Sequence, residues 1–303
     1  MKRRSKRKIA FSATTAVTAA IFIIAFANSV FGDKIRTAFA PDTASDFDKT
    51  QDFVKIMDVG QGDSALIYSN GCSALIDAGL TSSADDISED LRGADIKDID
   101  ALLITHLHME HAGALAKIAL GFPIDNLIIP ERDSTAEAMP TVNEAEKQIV
   151  SENGKVFTAT EGMNFDIGEF EVTVLAYFPD ATKENDRSVI TMAKIGKKKF
   201  LFTGDAEKAT ESDLLAEKPN LDCDVLKVGH HGSKSSSTSA FLKAASPEYA
   251  AISVGRDNMY SHPSNKTVVA LKNCGAKVYR TDRNGDISFY VENGNIRVET
   301  EKE

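Results

Sequence analysis

A chain of 303 residues, 42% of them hydrophobic, can bury a full core as one large domain or two small ones. Its formal charge of −10 is unevenly spread. Residues 1–40 hold eight basic side chains against Asp33 and carry +7, which leaves −17 for residues 41–303 and argues against a strong non-specific nucleic-acid binder.

The chain opens with "MKRRSKRK", six basic residues, and then runs from Ile9 to Gly32 for 24 residues without a charge. That length spans a bilayer, and the basic flank predicts a cytoplasmic N-terminus with everything after it outside. Ala25-Phe26-Ala27 offers the alternative of a cleaved signal peptide, but the apolar run is long for one, so residues 1–32 are read first as an uncleaved anchor. The expected location is the cell membrane, single-pass with the following domain extracellular, or else secretion. Residues 33–51 are polar, lack apolar periodicity and read as a linker.

Residues 52–303 show no convincing internal boundary and no tandem repeat. "FVKIMDV", "SALIYS" and "CSALIDAG" alternate as strands, "SADDISEDLRGA" reads as a helix with a Ser cap, and "DALLITH" as a buried strand. "AGALAKIALG" is helical, "NLIIP" a strand, and "TVNEAEKQIVSENG" a capped helix. A strand-rich centre follows ("KVFTAT", "FEVTVLAYF", "SVITMAKIG", "KKFLFTG"), with "IGKKK" as a turn. The last third alternates "EKATESDLLAE", "DVLKVG", "SAFLKAAS", "YAAISVG", "NKTVVALKNCG", "KVYRT" and "DISFYVENG". Strand groups flanked by helices in both halves predict an α+β fold of two αβ layers packed face to face. Cys72, Cys223 and Cys274 are widely spaced and read as small buried hydrophobes in preference to one disulfide.

Half of the chain's six histidines fall in "THLHMEHAGA", residues 105–114. His106 and His108 are two apart, so at an extended strand end they project to the same side, with Glu110 and His111 on the turn that follows. Imidazole nitrogen and carboxylate oxygen suit borderline divalent cations, and the four could hold two cations a few Å apart. A polar loop with incidental histidines offers no compensation for so many clustered titratable groups. Asp205 ends "FLFTGDAE", His230 and His231 end "DVLKVG", and His262 follows "YAAISVG". All six histidines thus lie at strand-to-loop junctions, which points to one site. Asp77 in "LIDAG" is expected to orient a metal-binding histidine. "DVGQGDS" reads as a tight turn that aims Asp63 toward the site.

"DVGQGDSALI", "LIDAG", "THLHMEHAGA", "TGDAE", "DVLKVGHHGSKSSS" and "SVGRDNMYSHPS", taken in order, resemble the metallo-β-lactamase fold. More narrowly, they are similar to the extracellular hydrolase domain of ComEC-type DNA-uptake competence proteins. Cell-surface phosphorylcholine esterases share the arrangement. The resemblance implies a four-layer αβ/βα sandwich with two divalent metal ions, Zn or Mn, between the sheet edges. It implies His106 and His108 on one metal, Glu110 and His111 on the other, Asp205 bridging them, and one of His230 and His231 completing the shell. His262 is implied as a ligand, a phosphate contact or a proton donor. Two features depart from the pattern. Glu110 stands where the family has aspartate, and no histidine lies between His111 and Asp205, where "ENDRSVI" falls instead. The second departure speaks against β-lactam hydrolysis.

The expected activity is therefore an exported metal-dependent phosphodiesterase or nuclease using a metal-bridging hydroxide, with Glu110, Asp205, His231 and His262 as catalytic residues. Ser233, Lys234 and His262 are the expected substrate contacts, the substrate a phosphodiester such as single-stranded DNA, and the membrane the other partner. Hydrolysis of a phosphocholine ester or a lactone is the second reading. A non-catalytic metal-binding module is the third.

Overall fold

The computed structural model describes residues 50–217 and 219–303; the expected anchor and nearly all of the linker lie outside these residues. Among the described residues no helix is long and apolar enough to cross a membrane. The first half of the domain builds β1 (Phe53–Ile56), β2 (Ala65–Ser69), β3 (Cys72–Ile76), β4 (Ile99–Leu103), β5 (Ile124–Ile129) and β6 (Lys155–Thr158). The second half builds β7 (Asn164–Ile167), β8 (Phe170–Ala176), β9 (Ile190–Ile195), β10 (Lys198–Phe202), β11 (Val225–Lys227), β12 (Tyr249–Ile252) and β13 (Lys277–Arg280). β14 (Ile287–Glu292) and β15 (Asn295–Thr300) close the chain.

Two sheets result. One runs β15-β14-β1-β2-β3-β4-β5-β6 and the other β13-β12-β11-β10-β9-β8-β7. Each half follows the same plan: antiparallel pairing first (β1–β2–β3; β8–β9–β10), then parallel pairing with helices crossing between strands. The final hairpin returns to the first sheet, where β14 pairs antiparallel with β1.

The helices that matter for the site are α1 (Ala84–Gly93), α2 (Met109–Ala112), α3 (Leu115–Gly121), α4 (Met139–Ser151), α5 (Lys208–Glu217), α6 (Ser239–Ala245) and α7 (Asn265–Asn273). α1, α3 and α4 cover the outer face of the first sheet through Ile87, Leu91, Leu115 and Val142 against Leu66, Leu75 and Leu102. The inner faces meet through Ile67, Ile76 and Leu103 against Val172, Phe200 and Phe202. Leu214, Phe241 and Leu271 cover the outer face of the second sheet at Leu201, Leu226 and Ile252. The layers are therefore helix, sheet, sheet, helix, the αβ/βα sandwich expected from the strand groups.

Central strands are buried on both faces, which is why they read as continuous apolar runs and not as alternating ones. Each fully buried Leu, Ile or Val contributes about 1.5–3 kcal/mol by leaving water.

Several local expectations shift. Ser83 sits at the N-cap of α1, but its hydroxyl donates to Val59 O at 2.9 Å and ties the helix to the loop after β1. α4 begins at Met139, two residues before Thr141, because Pro140 suits a first helical turn. β7 and β15 escape the hydrophobic pattern because they are partly exposed edge strands. The three cysteines are free, with Cys223 buried.

Gly113 separates α2 from α3. A Cβ there would stand 2.4 Å from Met109 O and 2.8 Å from Thr81 N. Gly113→Ala is expected to destabilise the fold by about 2 kcal/mol or more, read as a lower urea midpoint at unchanged slope.

Candidate metal centre

The chemistry-bearing loops leave the C-terminal ends of the inner strands of both sheets, the edge where open α/β sheets collect their ligands. β3 delivers Asp77, β4 delivers His106 to His111, β10 delivers Asp205, β11 delivers His230 and His231, and β12 leads to His262. Backbone bonds cross between these loops. Ala78 N donates to His111 O at 2.6 Å, Asp63 N to Glu110 O at 3.0 Å, Val189 N to Thr105 O at 2.9 Å and His230 N to Gly204 O at 3.1 Å. Gly62 permits one of these approaches, since a Cβ there would lie 2.6 Å from Glu110 O.

Asp205 is 1% exposed, and neither carboxylate oxygen has a hydrogen-bond partner. His111 Nε2 lies 3.3 Å from its Oδ1, and His230 Nε2 and His231 Nε2 each lie 3.7 Å from its Oδ2. His111 Nε2 and His231 Nε2 are likewise buried without hydrogen-bond partners. One donor atom from each of Glu110, His111, Asp205 and His231 falls within 4.8 Å of the others. Buried polar atoms in native proteins are almost always satisfied, so four orphans converging on one point mark a site built for a cation. Beside them, His106 Nε2 and His108 Nδ1 face each other at 3.1 Å, and the His106 and His111 ring centroids are 4.1 Å apart. The residues present therefore fit divalent cations.

A second group with donor atoms inside 4.8 Å is Asp63, Asp77 and His111. Here most of the donor atoms have other partners, Asp63 Oδ1 excepted. Asp77 Oδ2 accepts from His111 Nδ1 and from Thr105 Oγ1, both at 2.8 Å, and Asp77 Oδ1 accepts from Thr105 N at 2.7 Å. Asp63 Oδ2 accepts from Lys227 Nζ at 2.6 Å, and Asp63 Oδ1 lies 3.3 Å from His231 Nδ1. Asp77 thus stands behind His111, and Ser253 O, 3.1 Å from His231 Nδ1, stands behind His231, so that Nε2 of each ring is turned toward Asp205.

The charges are interlocked. Burial opposes charge on His111, but the carboxylates of Asp205 and Asp77 outweigh it and hold the imidazole well above its ordinary range. Burial and the nearby His111 push His106 well below. Burial works against the Asp205 carboxylate, yet His231 and His111 hold it well below the usual range. A proton on His111 supplies part of the positive charge that a cation would otherwise bring.

Asp77, His230 and His231 all adopt left-handed backbone (φ 63°, 50° and 51°), a costly conformation for side-chain-bearing residues, and one that clusters at functional sites.

Seven expected ligands, His106, His108, Glu110, His111, Asp205, His230 and His231, come together. His231 is 2% exposed with a free Nε2; His230 has a 20% exposed ring contacted by Asn185 Nδ2 at 3.4 Å and Ser235 Oγ at 3.3 Å. Glu110 reaches the group despite its extra methylene. His262 is half-buried, its ring 5.5 Å from His230, and burial together with His230 pushes it down to about 4. Ser233 is buried with its hydroxyl on Ser235 Oγ at 3.0 Å, and Lys234 is exposed.

Sequence reasoning missed Lys227 and the wall formed by "ENDRS". Lys227 is 4% exposed, and the signal was a lysine inside the apolar run "VLKV". Ser188 Oγ accepts from Asp205 N at 3.0 Å, and Glu184 Oε1 accepts from Leu107 N at 2.7 Å, so this segment braces both halves of the site. No local pattern marks it.

The model of the metallo-beta-lactamase superfamily matches residues 57–256. The chain belongs to the metallo-β-lactamase superfamily. It is similar to ComE operon protein 3 of Bacillus subtilis, 31% identical over 79% of this chain and 33% of that protein. It is also similar to Competence protein ComA of Neisseria gonorrhoeae, 28% identical over 81% of this chain and 33% of that protein. The chain spans about a third of the length of these curated relatives. Among solved structures, the metallo-beta-lactamase fold protein YhfI from Bacillus subtilis aligns with a TM-score of 0.53 at 13% identity, covering 79% of this chain and 99% of that one, a likeness of fold. Superfamily membership and the clustered ligand groups identify a metal-dependent hydrolase, with an arrangement consistent with a two-metal centre.

Loading chelator-stripped protein with Zn²⁺ or Mn²⁺ at about a thousand times Kd is expected to raise Tm by about 10 °C. Asp77→Asn, which removes the carboxylate behind His111, should weaken metal binding about 10–100-fold in a competition titration.

Proposed function

We propose that this chain is an exported metal-dependent phosphodiesterase that cleaves nucleic-acid strands, held at the cell membrane by its N-terminal segment. The observation that carries this reading is the convergence of unpartnered His111 Nε2, His231 Nε2 and both Asp205 oxygens in one buried place. Similarity to two competence-associated proteins favours a phosphodiester as the substrate.

In this reading Glu110, His111, Asp205 and His231, with His106 and His108 beside them, would hold the divalent cations. Divalent cations bound there would activate water and neutralise charge on a phosphoryl group. Asp77 and Ser253 O keep the His111 and His231 rings turned inward, and Lys227 balances the nearby Asp63 so that it adds no uncompensated charge. His230 is the residue left facing substrate, steadied by Asn185 and Ser235. His262 is a neutral imidazole at neutral pH and meets the reacting phosphate as a hydrogen-bond partner, not as a cation. Cleavage adds water across one P–O bond and leaves a phosphomonoester and an alcohol.

Full-length protein loaded with Mn²⁺ or Zn²⁺ should hydrolyse single-stranded DNA and bis(p-nitrophenyl) phosphate. Asp205→Ala should lower kcat at least about a hundredfold. Intact DNA beside a cleaved phosphocholine ester would move the assignment to the esterase class, and bound metal with no turnover on any ester would remove the catalytic reading. Because Glu110 already reaches the ligand group, Glu110→Asp retracts the carboxylate and should weaken retention of one metal on the order of tenfold, read by metal analysis after dialysis.

A further inference from the structure

Beyond His230 lies a cavity of about 240 Å³ that the hydrolytic centre does not use, lined by Lys208, Lys234, Lys266 and the run Ser235–Ser239. The fold brings these lysines together from three elements. Lys208 opens α5 and its N–H donates to Ser235 O at 2.9 Å, Lys234 follows the paired histidines, and Lys266 lies in the first turn of α7. All three side chains are exposed, and among the described residues no carboxylate stands within 4 Å of any of them. Lys183 and Lys198, by contrast, are paired with Glu207 and Asp224.

The buried hydroxyls lining the cavity have partners, with one exception. Ser236 Oγ donates to Ala206 O at 2.8 Å, Thr267 Oγ1 donates to Ser233 O at 2.9 Å, and Ser235 Oγ contacts Ser233 and His230. Ser237 is 5% exposed, and its Oγ has no partner. Glu211, behind the loop, takes the N–H groups of Ser237 and Thr238, so those amides are spent and the Ser237 hydroxyl is what remains. A buried hydroxyl without a partner is costly in a native fold unless a ligand completes it. Three unpaired ammonium groups around one spare donor make a cradle for an oxyanion.

The cavity continues into a groove of about 540 Å³ between α6 and α7, sharing Ser239, Lys266 and Ala270 with it and adding Lys243. On its other side, Ser235 Oγ is 3.3 Å from His230 Nδ1, while His230 Nε2 is 3.7 Å from Asp205. One imidazole ring therefore separates the lysine cavity from the metal centre. An isolated anion needs no such groove; a polyanion does.

We propose that this cavity is a phosphate subsite that takes the backbone phosphate next to the one being cleaved, with the strand passing on along the α6–α7 groove. The inference rests on the phosphodiesterase reading. It makes the enzyme favour strands with several phosphates over single-phosphate esters, and confines the attraction to one face of an otherwise acidic chain.

Two experiments on the full-length protein separate the subsite from the activity. In the first, chelator-stripped protein is acylated at lysine with and without inorganic phosphate and then mapped by mass spectrometry. Lys208, Lys234 and Lys266 should be protected severalfold relative to exposed Lys147, and Ser237→Ala should reduce that protection. In the second, the metal-loaded Lys208→Gln/Lys266→Gln double variant should lose about tenfold in kcat/KM for decathymidylate relative to bis(p-nitrophenyl) phosphate, mostly through KM. If DNA is cleaved but neither protection nor the ratio changes, the subsite is refuted while the phosphodiesterase reading stands. Protection by phosphate with an unchanged ratio would mean a free-anion site and overturn the strand subsite. If no phosphodiester is cleaved, absent protection refutes the anion cradle as well, and protection without turnover refutes its role in a nuclease.

Discussion

A carboxylate that is 1% exposed and accepts no hydrogen bond must be balanced by positive charge close at hand. Asp205 is that group, and much of the site follows from it. It comes from the second sheet, while His111 and His106 come from the first, so their attraction joins the strand ends of the two layers, beside the Lys227–Asp63 ion pair. His111 lies between Asp205 and Asp77, and His231 between Asp205 and Asp63. His111 bridges one carboxylate at the centre and one behind it, while His231 is held from behind by Ser253 O. An imidazole must lose its proton to hold a cation, so metal affinity and protonation are linked at this centre.

The supporting layer is stiff. Thr105 gives Asp77 both its N–H and its hydroxyl, Lys227 fills the other side of Asp63, and Ser188 holds the backbone of Asp205 itself. Left-handed backbone at Asp77, His230 and His231 persists because the surrounding bonds leave no easier course for the chain. Ligands held this way keep their geometry before any cation arrives, as a site needing placement to a few tenths of an ångström requires.

Electrostatics divides the surface by role. The chain is acidic overall, yet Lys234, in the loop that carries His230 and His231, lines one cavity with Lys208 of α5 and Lys266 of α7, and among the described residues none of the three has an ion pair. Negative charge elsewhere and unpaired lysines beside the centre divide the surface into regions of opposite sign.

The sequence by itself determined the layer plan and pointed to a metal centre at the strand ends. Apolar runs bounded by turn residues name most of the strands, and seven ligand-competent residues declare themselves by falling at strand ends. Local chemistry also pointed Asp77 at a histidine, where the structure places it within 2.8 Å of His111. Tertiary structure decided what depends on distance between remote segments. His230 and His231 are neighbours of the same type, and only the packing buries one ring with a free nitrogen and leaves the other half-open. Lys227, Ser188 and Glu184 enter the site through partners 17 to 164 residues away in sequence, a separation no window of residues can register. The edge strands β7 and β15 were illegible for a different reason: partly solvated, they carry too weak an apolar pattern to be read until a neighbouring strand supplies their hydrogen bonds.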